Sequence, residues 1–114
     1  MIALSARVAA QVPPPAQPVV SVPAGNAERG RALYQKTGCY QCHSNEAQGG
    51  TAGPRLGPNP ISFARFAAYV RTPRGEMPPY TAKVMSEQEL ADVYAFLEAR
   101  PRPPALATIP LLSR

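Results

Sequence analysis

Apolar residues recur at three- and four-residue spacing in two stretches of this 114-residue chain, and the strict alternation of a half-buried strand is missing. In the first stretch Phe63, Phe66, Ala67 and Val70 fall on one helical face, which ends at Thr72-Pro73 because a proline disfavours helical backbone in the residue before it. In the second, Leu90, Val93, Phe96 and Leu97 share a face behind Ser86-Glu87-Gln88-Glu89, a Ser-x-x-Glu capping box, and the helix runs until Pro101. A further helix is predicted over residues 27–36. Asn26 is a good N-cap, Glu28 lies in the first turn and Lys36 near the end, so both charges favour the helix dipole. The predicted order is helix, cysteine-histidine motif, loop, helix, methionine loop, helix, and the fold class is all-α.

Composition adds the boundaries. Fifteen prolines cluster in residues 13–23, 54–60, 73–79 and 101–110, where they punctuate helices. Residues 1–24 read as a leader remnant or a disordered, Pro-rich linker, residues 25–100 as one domain, and residues 101–114 as a Pro-rich C-terminal tail. Within residues 1–11, Val8-Ala9-Ala10 before Gln11 has the small side chains of a signal-peptidase site, but the apolar stretch ahead of it is short and broken by Arg7. That pattern reads as a truncated or mis-started leader of an exported, periplasmic protein. No run approaches the roughly 18 apolar residues of a membrane helix, so no membrane span is predicted in the chain.

The formal charge is +5, yet residues 25–100 hold nine Lys/Arg against seven Asp/Glu, a balance of +2. No dense basic run interleaves with aromatics, which argues against a nucleic-acid partner. Arg65, Arg71, Arg74 and Lys83 are a candidate patch for an acidic partner, with scattered solvated charge as the plainer reading of each.

Candidate chemistry concentrates in Cys39-Tyr40-Gln41-Cys42-His43, which matches the CxxCH pattern of c-type haem attachment. In that chemistry two thiols become thioethers to the porphyrin and the histidine becomes the proximal ligand. Zinc, disulfide exchange and an ordinary disulfide are the alternatives. The chain has two cysteines and one histidine, so a four-ligand zinc site would need a carboxylate or a second chain, and no strand precedes the motif as a thioredoxin-like site expects. A single covalent haem would also supply the stabilisation that so small a core lacks.

With these elements placed, residues 25–100 resemble the class I, monohaem cytochrome c family of bacterial type. Gly30, Leu33 and Tyr34 look like its N-terminal helix signature, in which a glycine permits close approach of the last helix; Val93, Phe96 and Leu97 look like the matching face. Gly53-Pro54-Arg55-Leu56 resembles the segment whose proline carbonyl accepts a hydrogen bond from the proximal histidine, so the resemblance gives Pro54 the orientation of His43 and Leu56 a place against the haem. Gly75-Glu76-Met77-Pro78-Pro79-Tyr80 resembles the loop that supplies a thioether ligand. Met77 is therefore the expected sixth ligand, with Met85 its competitor and core filling the plainer role of either. Tyr69 resembles the tyrosine near the methionine sulfur, a place Tyr80 would also suit.

The resemblance implies three main helices around one covalent haem c, with His43 and Met77 on the iron. It also implies a non-enzymatic carrier, monomeric when free, that shuttles single electrons between redox protein partners. The alternative in the same chemistry is a dedicated cytochrome subunit of a dehydrogenase or oxidase complex, with Leu106, Ile109, Leu111 and Leu112 in the docking segment. A haem enzyme or gas sensor requires an iron that Met77 leaves open, and the single histidine provides no distal imidazole for acid-base work.

Overall fold

Helix α1 spans Ala27–Lys36, α2 Tyr40–His43, α3 Phe63–Arg71 and α4 Glu87–Glu98, followed by one 3₁₀ turn at Leu106–Thr108. The computed structural model describes residues 21–112, among which there is no strand. The leader and cleavage-site readings, and most of the linker reading, lie outside those residues. The fold is all-α, and it contains one helical turn, α2, that the hydrophobic pattern did not announce.

Local chemistry accounts for the helix ends. The Asn26 side chain accepts from the Arg29 amide at 2.8 Å and so satisfies one of the free N–H groups at the start of α1. At the other end Thr37 caps the helix and Gly38 turns the chain at φ +83, a conformation suited to glycine. The α4 capping box is complete: the Glu89 amide donates to Ser86 Oγ at 3.2 Å and the Ser86 amide to Glu89 Oε2 at 2.7 Å.

Helices α1 and α4 form the main packing pair. A Cβ on Gly30 would overlap the Asp92 carbonyl, so the two backbones touch where they cross, as the Gly30 pattern predicted. The same holds one turn earlier for Gly25, whose Cβ would meet the Ala91 carbonyl. Asp92 lies at this crossing, 3% exposed, and accepts from the Asn26 amide (2.7 Å), from Arg29 Nε (2.9 Å) and Nη2 (3.1 Å), and from Gln88 Nε2 (3.3 Å). Chiefly through the Arg29 hydrogen bond, and against the desolvation of burial, its carboxyl is held below the ordinary aspartate range.

Around that crossing the core gathers Tyr34, Phe63, Phe66, Val70, Met85, Leu90, Val93, Phe96 and Leu97. The Tyr34 and Phe96 rings sit 5.0 Å apart, and Tyr94 packs edge-on against Phe63 at 5.4 Å. The Arg100 guanidinium lies 3.8 Å over the Phe96 ring and pairs with Glu46, which also takes Arg31 at 2.8 Å. This cluster ties the loop after α2 to the end of α4.

Candidate cofactor site

The end of α1 delivers the motif directly into α2. The Cys39 amide donates to the Tyr34 carbonyl at 3.1 Å, and one turn later the His43 amide donates to the Cys39 carbonyl at 3.1 Å. Cys39 is half-buried and Cys42 exposed, both as free thiols, whereas His43 is 8% exposed. A single helical turn thus presents two thiols and one imidazole from adjacent positions.

The loop after α2 orients that imidazole. His43 Nδ1 lies 2.8 Å from the Pro54 carbonyl oxygen. A carbonyl only accepts, so Nδ1 carries the proton and the lone pair is left on Nε2, the arrangement of a metal-binding histidine. The turn is drawn in by several bonds: the Leu56 amide donates to the Ala47 carbonyl at 2.9 Å, Ser44 Oγ to the Gly49 carbonyl at 3.0 Å, and Tyr34 OH to the Ser44 carbonyl at 2.6 Å. Gly53 permits the approach, since a Cβ there would stand 2.9 Å from His43 Nδ1 and 3.0 Å from the Cys42 carbonyl oxygen. Leu56, half-buried, packs against the core beside this turn.

Facing the same region is the loop between α3 and α4. Met77 is half-buried against the core, whereas Met85 lies inside it at 2% exposure. Tyr80 holds the loop: its amide donates to the Val70 carbonyl at 2.9 Å and its hydroxyl to the Thr37 carbonyl at 2.8 Å. Burial first, and next the neighbouring Cys39 thiol, push the Tyr80 hydroxyl up to about 12. Tyr69 is 44% exposed, with its hydroxyl 3.4 Å from the Arg74 carbonyl.

The family model described as cytochrome C oxidase, cbb3-type, subunit III matches residues 25–97. The chain belongs to this family. No curated protein and no solved structure matches it. Membership makes the domain a monohaem c-type cytochrome whose cofactor is covalently bound haem c, and makes its work that of an electron-transfer haem protein.

The residues of this cytochrome domain fit the group. Two unpaired thiols at CxxC spacing precede an imidazole whose free nitrogen is Nε2, its Nδ1 being held by the Pro54 carbonyl. Among the described residues no three His, Cys, Asp or Glu side chains gather as a metal-binding cluster, so a closed zinc site lacks its ligands. Nor is any described helix long and apolar enough to cross a membrane.

Several residues escaped the sequence. Arg71, considered there as part of a surface patch, turns inward: its Nη1 donates to the Tyr80 carbonyl at 2.8 Å and to the Met85 carbonyl at 2.6 Å. Thr37 joins the Tyr80 hydroxyl to the motif, with its own hydroxyl 3.4 Å from Cys39 Sγ. Asp92 left one faint signal, an acid four residues before Phe96 on a helix that must be buried there.

Proposed function

We propose that the domain passes single electrons between redox proteins, with haem held by thioether bonds from Cys39 and Cys42 and ligated by His43 Nε2 and the Met77 sulfur. The observation that carries this reading is the 2.8 Å contact between His43 Nδ1 and the Pro54 carbonyl. It fixes the tautomer, holds the ring in one orientation and makes Nε2 a stronger donor. The bound haem supplies reversible one-electron chemistry at iron. Met77 is the better sixth ligand because Met85 is already spent on the core, and its soft sulfur favours the ferrous state. A six-coordinate site favours electron transfer over gas binding or catalysis. In this reading Leu56 would pack on the haem, and Tyr69 would be the tyrosine near the methionine sulfur.

Charge supports a negatively charged partner. With Arg71 turned inward, residues 54–85 still carry the exposed Arg55, Arg65, Arg74 and Lys83 against Glu76, whereas the remaining six acids fall on residues 28–46 and 87–98 with α1 and α4. A basic side around the methionine loop suits a small, transient encounter of the weak redox kind. Because c-type haem is attached outside the cytoplasm, an exported, periplasmic location is part of this reading.

The second reading, a dedicated subunit of an oxidase or dehydrogenase complex, is favoured by the tail. Leu106, Leu111 and Leu112 are 69%, 80% and 61% exposed there, and the family's description names an oxidase subunit. Purification of tagged, haem-loaded chain from its own host separates the two. A monomer that reduces several acceptors at rates falling with salt supports the shuttle. Recovery at fixed stoichiometry with one oxidoreductase, lost when Leu106, Leu111 and Leu112 are changed to serine, supports the subunit.

A further inference from the structure

Residues 72–85 leave α3 at Arg71 and re-enter the core at Met85, carrying Met77 near their middle. Pro73, Pro78 and Pro79 have no amide hydrogen to donate, and Gly75 adopts φ +72 with open space around it. The backbone bonds of this segment gather at its far end, where the Tyr80 amide reaches the Val70 carbonyl at 2.9 Å and the Val84 and Met85 amides reach the Thr81 carbonyl at 2.9 and 3.0 Å. Arg71 adds a side-chain closure to them. Both hydrogens of its Nη1 are used, one on the Tyr80 carbonyl at 2.8 Å and one on the Met85 carbonyl at 2.6 Å, so one half-buried cation at the C-terminus of α3 grips two points on the returning chain. The grip continues beyond the loop: Tyr80 reaches the Thr37 carbonyl, and Thr37 touches Cys39 of the attachment motif.

We infer that Arg71 is a positioning residue that latches the methionine loop shut, with Tyr80 as the catch it holds, and so governs how often the Met77 sulfur leaves the iron. The inference rests on Met77 as the sixth ligand. Guanidinium suits the task because it stays charged and offers several donors in a rigid fork. Without it two carbonyls turn to water and the loop opens more often, while the α1–α4 crossing, held by Gly30, Asp92 and Arg29, is untouched.

Carbon monoxide reaches a ferrous, methionine-ligated iron only while the sulfur is away, so its binding counts openings. Haem-loaded protein is compared as wild type, Met77→Ala, Arg71→Gln, Arg71→Lys, Tyr80→Phe and Arg29→Ala, by gas-binding rate, the ferric near-infrared sulfur-to-iron band, and denaturant unfolding. Arg71→Gln is expected to bind the gas roughly ten- to a hundredfold faster than wild type, the factor that loss of charge-assisted hydrogen bonds brings. Arg71→Lys and Tyr80→Phe are expected to give smaller rises, and Arg29→Ala to unfold more readily with no rise. A wild-type rate in Arg71→Gln overturns the latch, as does a rise no larger than that of Arg29→Ala. If Arg71→Gln fails to take up haem, Arg71→Lys and Tyr80→Phe decide the matter by the same criterion. Met77→Ala tests the ligand separately: should it keep the wild-type band and rate, the ligand assignment fails and the latch falls with it.

Discussion

Which nitrogen of His43 is left free to bind a metal is decided by a neighbour eleven residues on, because the Pro54 carbonyl can only accept the Nδ1 proton. Gly53 makes that approach sterically feasible, which leads to a prediction. In Gly53→Val the new side chain meets the His43 ring and the Cys42 carbonyl, so the turn must shift and the histidine bond lengthens or breaks. Overpacking of this kind costs about 1–3 kcal/mol, and a weaker imidazole donor stabilises ferric iron less. The reduction potential is therefore expected to rise, and an equilibrium redox titration giving the wild-type value would contradict the proposed role of the bond. Cys39, Cys42 and His43 stand out in the sequence because their spacing fits the CxxCH pattern of covalent haem attachment. Arg71 and Thr37 do not, since their partners lie nine, fourteen and forty-three residues away and nothing local marks them.

Among the elements, the α1–α4 crossing matters most, and it was expected from the resemblance of Gly30, Leu33 and Tyr34 to the family's first-helix signature, an incidental glycine being less apt because it costs about 1 kcal/mol relative to alanine in a helix. The bounds of α1 and the capping box of α4 were equally plain, since both depend on side chains within three residues of the helix end. α2 was hidden because four residues are too few to show a helical period. Asp92 gives this crossing a pH dependence. The Arg29 hydrogen bond holds its carboxyl below the ordinary aspartate range, so its contribution is complete above the unfolded aspartate value and is lost as pH falls through the depressed folded value. Wild-type protein is expected to lose stability below about pH 4, and Asp92→Asn to be less stable at neutral pH with a shallower acid slope. Denaturant midpoints measured from pH 2 to pH 7 check this; parallel curves for the two proteins would remove Asp92 from the acid response.

At the scale of the whole molecule, one aromatic core has the CxxCH turn and the loop carrying Met77 packed beside it, and a covalent haem would add apolar surface to an interior of this modest size. Fold class followed from helical periodicity and short-range caps. The pairing of Glu46 with Arg31 and Arg100, which closes the attachment loop onto α4, had no signature because it joins three separate segments. In the proposed carrier, His43 and Met77 together close the iron. The most direct test is the visible and near-infrared spectrum of ferric and ferrous protein matured in an export-competent, haem-loading host, for wild type and Met77→Ala. Wild type is expected to show a weak sulfur-to-iron charge-transfer band and near indifference to carbon monoxide, with the band lost and the gas bound in Met77→Ala. Wild-type protein that binds carbon monoxide readily, or a Met77→Ala spectrum identical to wild type, would contradict that ligation.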